Sequence, residues 1–318
     1  MTTIAMTPKQ QAVSSKDAMD RIPTVSAQRQ LTYLADLYSI APRALPYMPP
    51  RLGYTLCDVL GAVLGPRLPA WPCILDNLRV LMPTANEAER AAAARRVMIG
   101  MFKNYFDLFR FHALSAAALE RTLVAEGLAH IEQALAQRQG VLLAAPHCGP
   151  YTIVFAPFIR HFATRALLVV EQLADPRIHQ LMNRVRQVPG IDVESLSPTI
   201  GRSILRALRQ NHIVVLGGDR ALAAHALTVD FFGRPTPLPS GPATLALRTG
   251  APLLTGIAQR LPDNRFLARI DPPLLVQRSA SLQQDIYDVT QKIAYSMQAY
   301  ICRDPAQWLV AERVWPTA

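Results

Sequence analysis

Short apolar runs alternate with longer segments of helical periodicity from Leu123 to the end of the chain. Val141–Ala145 and Ile213–Gly217 contain no charged residue, as is typical of strands buried on both faces. The segments between such runs have helical length and spacing. This alternation predicts an α/β fold in which helices cover a layered sheet. Further strands are predicted at 165–170, 191–194, 252–258 and 266–270, and helices at 129–138, 199–209, 241–249 and across 286–297.

The first third of the chain has a different pattern. Between Leu45 and Leu68, apolar residues recur at helical spacing, with Arg51 and Arg67 at the ends. Such a helix either packs on the core or lies in a membrane interface, and the pattern allows both. Residues 85–111 predict a second helix, for which Thr84 and Glu87 have the spacing of a capping box.

The change of pattern also predicts the domain organisation. We expect a flexible lead-in over residues 1–29, a helical and partly interfacial region over 30–120, and an α/β core over 121–318. A chain of this length holds one large domain or two ordinary ones. We expect the last two regions to form one compact domain.

Charge points to an anionic partner. The chain has 33 basic and 23 acidic residues, a net charge of +10, and half of its residues are hydrophobic, which excludes a disordered protein. A membrane surface, a phosphorylated substrate and a phosphorylated carrier all fit this charge. A nucleic acid is not expected, because no basic run or nucleic-acid-binding motif is present.

Arg202, Arg206 and Arg209 recur on one face of the helix predicted at 199–209. Either this stripe is solvated, or it contacts an anionic carrier or lipid headgroup. The sequence leaves both interpretations open.

Cysteine usage and hydropathy indicate a reducing compartment and no membrane span. The four cysteines are far apart without a C-x-x-C pair, so neither a disulfide framework nor a zinc site is expected. The longest uncharged run, 141–159, is interrupted by Pro146, Gly149, Pro150 and Pro157, which break a helix. It is better explained as a strand, a tight loop and a helix.

His147 is the strongest candidate for chemistry. It follows the predicted strand Val141–Ala145 directly, in a turn that contains Pro146 and Gly149. Ligands of α/β proteins bind at such strand ends, and an imidazole there can accept a proton near neutral pH. A histidine that only stabilises the turn would give the same local pattern.

The segment around His147 resembles the signature of the bacterial lipid A biosynthesis (lauroyl/myristoyl) acyltransferases, V-I-L-x-x-x-H-x-G-N-W-E, which carries an H-x-x-x-x-[DE] motif. Similar blocks follow in the family's order and span Asn77 to Trp315. They are N-L-R at 77–79, E-G-L at 126–128, D-R at 219–220, V-D-F-F-G-R-P at 229–235, P-S-G-P-A-T-L-A-L-R-T-G-A-P at 239–252 and P-A-Q-W-L-V-A-E-R-V-W at 305–315.

The resemblance implies both a fold and an activity. The fold would be like that of the glycerol-3-phosphate acyltransferases, a layered mixed sheet flanked by helices with a helical N-terminal region. His147 would be the general base that activates an acceptor hydroxyl or amine of a lipid against an acyl thioester. The donor would be acyl carrier protein or acyl-CoA, without a metal or cofactor, and the protein would lie peripherally on the cytoplasmic face of the inner membrane.

Two positions depart from the family pattern. Thr152 stands where the motif has its acid, and Glu171 stands where the family's Y-R-P-x-x-N-P segment has arginine. The acid normally orients the histidine and stabilises its charged form. We therefore predict that Glu171 supplies the missing negative charge to His147, unless it is only a neutral change at the end of a strand.

Other residues in the matching blocks are candidates for the site. Asp219 and Arg220 would orient the loop or contact the acceptor, unless they form a structural ion pair. Cys148 is a weaker candidate for a nucleophile. His147 would have to activate it, and adjacent side chains in such a turn point apart. Phe231, Phe232 and Gly233 are expected to line the acyl channel, unless the aromatic rings belong to the core, and Arg248 and Arg313 to contact phosphate or carrier, unless they form surface ion pairs.

Three functions remain open at this level. The first is acyl transfer to a lipid, and the second is binding of lipid or acyl carrier without catalysis, which loss of the motif acid would permit. The third is hydrolysis or condensation of a thioester in a specialised pathway. The products formed from an acyl thioester distinguish them.

Overall fold

A computed structural model describes residues 41, 43–111, 114–151, 153–162, 164–173, 175–220 and 226–315. The expected lead-in over 1–29 and Thr152 lie outside the described residues. The helices are α1 Pro50–Leu64, α2 Ala70–Leu81, α3 Glu87–Phe111, α4 Ala116–Thr122, α5 Leu128–Ala136, α6 Phe155–Arg160, α7 Pro176–Arg186, α8 Ile200–Arg209, α9 Gly241–Thr249 and α10 Leu282–Arg303. The strands are β1 Leu123–Glu126, β2 Val141–Ala145, β3 Ala166–Val170, β4 Ile191–Ser195, β5 Ile213–Gly217, β6 Ala226–Phe231, β7 Arg234–Pro239, β8 Leu253–Arg260 and β9 Phe266–Ile270.

Seven of the described strands form one mixed sheet in the order β1-β9-β8-β2-β5-β3-β4. Neighbouring strands are parallel except β8 and β9, which pair antiparallel. The strands β6 and β7 form a separate antiparallel hairpin. The predicted mixed sheet flanked by helices, with a helical N-terminal region, is therefore confirmed.

The alternation of side chains along β2 divides the core into two layers. Val141 and Leu143 face the cluster under α5, α6 and α7, whereas Leu142 and Ala144 face the cluster under α8, α9 and α10. Both faces of the strand are covered, which explains why its sequence is a continuous apolar run.

The helix α1 packs with the opposite face from the one that its large apolar residues suggest. Its buried residues are Gly53, Cys57 and Gly61, and a Cβ atom on Gly61 would lie 2.7 Å from the backbone of Ile99 in α3. The small residues therefore allow close helix contact. The large residues remain exposed: Leu52, Leu56, Val59, Val63 and Leu64.

The start of α3 also differs from the prediction. The helix begins at Glu87, and Asn86 caps it instead of Thr84. The Asn86 side-chain oxygen accepts a hydrogen bond from the Glu89 backbone N–H (2.9 Å), and the Glu89 carboxylate accepts one from the Asn86 N–H (2.8 Å). This is a capping box shifted by two residues.

Candidate active site

Parallel pairing of β2 and β5 brings His147 and Asp219 together. Ala145 lies opposite Gly217 at the carboxyl ends of these strands. His147 and Asp219 each follow two residues later, so both leave the same edge of the sheet side by side. The Nδ1 atom of His147 lies 2.7 Å from Oδ1 of Asp219.

Asp219 is fully buried and receives hydrogen bonds from three N–H groups. Besides the imidazole, the backbone N–H of His147 (2.8 Å) and the indole Nε1–H of Trp308 (2.7 Å) donate to its Oδ2 atom. Burial alone would raise the pKa of Asp219, but the charge of His147 and these hydrogen bonds hold it below its usual value. Asp219 is therefore an ionised carboxylate at neutral pH.

This arrangement defines the chemistry available to His147. Because an ionised carboxylate only accepts hydrogen bonds, we assign the imidazole proton to Nδ1, which leaves Nε2 as a proton acceptor. The His147 side chain is 22% exposed, and it lines a cavity. The ring lies beside Gly217, where an added Cβ atom would be 3.2 Å from Cε1 of the imidazole.

Hydrogen bonds connect the turn that carries His147 to α3 and to residues 305–315, the C-terminal segment. The backbone N–H of Leu309 donates to the carbonyl of His147 (2.8 Å), and that of Gly149 donates to the carbonyl of Gln307 (2.8 Å). Asn104 of α3 donates its amide to the carbonyl of Gly149. Gly149 has φ +50°, and a Cβ atom there would lie 2.7 Å from the carbonyl oxygen of Ala258, so the turn requires glycine.

The cavity has a volume of about 410 Å³, within the usual range of small-molecule sites. Most of its lining is apolar and comes from β3, β5, α3, α6, α7 and the C-terminal segment. These residues include Met101, Phe155, Leu168, Val170, Ile178, Met182, Val215, Leu216, Leu309 and Val310. The ionisable side chains in the lining are those of Tyr105, His147, Tyr151, Glu171, Arg186, Arg220 and Glu312. A proton acceptor at the wall of an apolar slot suits an alkyl chain with a reactive group at one end.

Glu171 has a different partner from the one predicted. It pairs with Arg220, which also binds Glu312 at 2.6 Å. Burial alone would lower the pKa of the Arg220 guanidinium, but the two carboxylates raise it above its usual value. No hydrogen bond or ion pair joins Glu171 to His147 among the described residues. The reason is the strand order, since β5 lies between β2 and β3 and places Asp219 closer to His147.

Cys148 is unsuited to attack a thioester. Its side chain is 1% exposed and packs in the core cluster on the far side of β2, and it does not contribute to the cavity wall. Burial raises the pKa of the Cys148 thiol well above its usual value, so the sulfur stays protonated.

The expected channel residues lie elsewhere. Phe231 is fully buried in the core and stacks on Trp315 at 5.8 Å, and Phe232 and Gly233 form the tight turn of the β6–β7 hairpin. None of the three lines the cavity. This corresponds to the alternative in which the aromatic rings are core residues.

The two arginines expected to contact phosphate or carrier are also outside the cavity lining. Arg248 is exposed in the last turn of α9, and Arg313 pairs with Asp76 of α2 at the surface. Arg313 thus has the surface ion pair that was its alternative.

Three residues of the site were not among the predicted ones: Tyr151, Arg186 and Trp308. Trp308 and Tyr151 lie in the motifs that were recognised, so their position there was a usable signal. Arg186 ends α7 in a segment rich in arginine, and nothing in the sequence separates it from its neighbours.

The site combines a mixed, mostly parallel sheet, a histidine–carboxylate pair at its strand ends and an apolar cavity. These are the features of a class of proteins in which an imidazole can act as a base beside an apolar ligand. The comparison of sequences is consistent with this class. Residues 25–317 match the bacterial lipid A biosynthesis acyltransferase family, and the chain belongs to that family.

Curated relatives include two mycobacterial proteins named phosphatidylinositol mannoside acyltransferase. The one from Mycobacterium tuberculosis (strain CDC 1551 / Oshkosh) is 30% identical over 215 residues, which cover 66% of this chain and 66% of the relative. The one from Mycolicibacterium smegmatis is 26% identical over 225 residues, 69% of this chain and 71% of the relative. The match thus spans slightly less than two thirds of the first relative's length.

Proposed function

We propose that this protein transfers a fatty acyl chain from an acyl thioester to a hydroxyl or amine of a lipid acceptor, with His147 as general base. The observation that carries the proposal is the His147–Asp219 pair at the wall of the apolar cavity. Membership of an acyltransferase family supports it. Both the family description and the relatives' names refer to glycolipids, which favours a glycosylated lipid as acceptor.

The proposed reaction has two proton transfers. Nε2 of His147 takes the proton of the acceptor hydroxyl, and the oxygen attacks the thioester carbonyl carbon. When the tetrahedral intermediate collapses, the carbon–sulfur bond breaks and the imidazolium returns the proton to the leaving thiolate. Asp219 orients the ring and stabilises its charged form throughout, which is the role of the acid in related catalytic triads.

Asp219 also weakens the case for the alternative that the protein binds lipid without catalysis. That interpretation rested on loss of the motif acid at Thr152. A buried carboxylate on Nδ1 can fulfil the same function from another strand, so catalysis does not require an acid at position 152.

We propose that the protein works peripherally at an anionic membrane surface, on the cytoplasmic face of the inner membrane. The exposed apolar face of α1, which includes Leu52, Val59 and Val63, is flanked by Arg51 and Arg67. This combination suits an interfacial helix on anionic lipid. Within the described residues no helix is long and apolar enough to span a bilayer. The donor is acyl carrier protein or acyl-CoA, which share a phosphopantetheine thioester.

The test uses purified protein, labelled palmitoyl-CoA or palmitoyl acyl carrier protein, and a total membrane lipid extract. We expect label in a lipid product, and we expect His147→Ala to reduce its formation by about 10³-fold. His161→Ala, at an exposed histidine of the neighbouring turn, is the matched control and should retain activity. Release of free fatty acid alone would indicate a thioesterase, and binding without turnover would indicate a lipid-binding protein.

A further inference from the structure

Arg186, the last residue of α7, is a cavity residue that the proposed reaction does not use. It lines the cavity beside His147 and the smaller pocket that adjoins this cavity between α3 and α7. Its Nε atom is buried without a hydrogen-bond partner among the described residues. The ionisable groups that act on its charge are the hydroxyls of Tyr105 and Tyr151, and neither is a carboxylate.

Arg186 is partly buried, and a guanidinium whose Nε atom is buried without a partner costs folding free energy. Burial lowers the pKa of Arg186, which shows that its surroundings disfavour the charged form. Removing a charge from water destabilises the folded state unless a partner compensates it. By contrast, Arg220 in the same cavity has two carboxylate partners. The missing partner of Arg186 is best explained as a group that the ligand supplies.

Tyr151 lines the same cavity and lies next to the proposed base. Its ring contacts the imidazole of His147 edge-on, with the ring centroids 4.9 Å apart. Burial raises the pKa of Tyr151 to about 12, so its hydroxyl remains protonated and can donate a hydrogen bond. Among the described residues, that hydroxyl has no hydrogen-bond partner. Arg186 and Tyr151 thus offer donors for an anionic oxygen next to the proposed base.

We propose that Arg186, assisted by the Tyr151 hydroxyl, binds a phosphate group of a substrate. A permanently charged arginine in the resting protein matches a ligand that is permanently charged, whereas the transient oxyanion of the reaction can be stabilised by neutral donors. The fork of the guanidinium matches phosphate geometry. The phosphate belongs to the phosphopantetheine donor or to a phospholipid acceptor; this choice rests on the proposed function.

Equilibrium binding to native protein and to Arg186→Met tests the proposal without relying on turnover. The donor probes are palmitoyl-CoA and the phosphate-free thioester palmitoyl-N-acetylcysteamine. The acceptor probes are dihexanoyl phosphatidate and dihexanoylglycerol. We expect Arg186→Met to lower the affinity for one phosphate probe by about 10- to 100-fold and the affinity for the phosphate-free probes by less than about threefold. Arg186→Lys should retain part of the affinity, because it keeps the charge.

Thermal unfolding of the ligand-free protein gives an independent readout. Because Arg186→Met removes a partly buried charge that has no counter-ion among the described residues, we expect its melting temperature to rise by about 2–4 °C. The matched control is Arg184→Met on the exposed face of the same helix, which should alter neither affinity nor melting temperature.

Unchanged affinity for both phosphate probes would overturn the proposal, as would an equal loss for the phosphate-free probes or a lower melting temperature. The phosphate probe whose affinity falls in Arg186→Met identifies the source of the phosphate. Lost phosphate affinity in a protein without acyl transfer would refute the proposed function and retain the phosphate subsite.

Discussion

Two buried aspartates, Asp219 in the candidate active site and Asp107 in α3, are stabilised in different ways. Asp219 receives three N–H donors from His147 and Trp308, and its pKa lies below the usual value. Asp107 accepts a hydrogen bond from the hydroxyl of Tyr54 (2.7 Å) and pairs with Arg260 (2.6 Å). Burial raises the pKa of Asp107, and these partners offset only part of that effect.

The difference reflects what each carboxylate holds in place. Asp107 connects three elements, because Tyr54 is in α1, Asp107 in α3 and Arg260 at the end of β8. It anchors the helical region to the sheet. Asp219 connects the ends of neighbouring strands and fixes one tautomer of one imidazole. We therefore predict that substitution of Asp219 mainly reduces turnover, whereas substitution of Asp107 mainly reduces stability.

The largest expected effect is that of Asp219→Asn on turnover. The amide can donate to Nδ1 and favour the wrong tautomer, and it carries no charge to offset the imidazolium. We expect a loss of about 10³–10⁴-fold in kcat, measured with labelled acyl-CoA. Circular dichroism on the same samples checks the fold. A loss below tenfold would show that Asp219 is not the partner of the base.

Asp107→Asn should instead reduce stability. It leaves Arg260 without its buried counter-charge, which costs about 3–5 kcal/mol of unfolding free energy in urea titrations. The control is Asp58→Asn, which removes a half-exposed partner of Lys103 and should cost less than about 1 kcal/mol. Turnover per folded molecule should stay within a few-fold of native. A selective loss of turnover in Asp107→Asn would contradict the assigned anchoring role.

Trp308→Phe tests a single hydrogen bond of Asp219. It removes the indole donor to Asp219 and should reduce both stability, by about 1–3 kcal/mol, and turnover, by about tenfold. Trp315→Phe is a matched control, because its indole donates to Thr236 and not to the site. It should lower stability alone. Equal turnover in the two variants would mean that Asp219 does not need the Trp308 donor.

Glu171→Gln should have a small effect. Glu171 is a partly exposed partner of Arg220, and such pairs contribute about 0.2–1 kcal/mol. We expect turnover within about fivefold of native, and a similar result for Glu312→Gln, the other partner of Arg220. A loss in Glu171→Gln as large as that in Asp219→Asn would restore Glu171 as the acid that acts on His147.

The pH dependence of stability should have opposite signs at the two aspartates. Because the pKa of Asp219 is lowered by folding, its contribution exists above its unfolded pKa of about 4 and is lost as pH falls through the folded value. The pKa of Asp107 is raised, so its contribution is complete below pH ~4 and is lost as pH rises through the folded value. Urea unfolding of the native protein and of Asp219→Asn between pH 3 and 7 should therefore show the difference between their free energies of unfolding becoming smaller on acidification.

Much of the fold was predictable because burial leaves a strong pattern. A strand covered on both faces must be apolar throughout, so β2 and β5 were recognised within one residue of their observed ends. The packing face of α1 was less predictable. Its contact with α3 uses small residues such as Gly61, and a hydrophobic pattern emphasises the large residues, which here remain outside.

The position of the proposed base follows from the sequence, since a histidine directly after a buried strand must emerge at the edge of the sheet. The same pattern locates Asp219 at the end of another strand. That Asp219, and not Glu171, meets His147 depends on the tertiary structure. The order and register of strands depend on pairing between segments some 70 residues apart, and equally apolar strands carry no local signal of which neighbour they will choose.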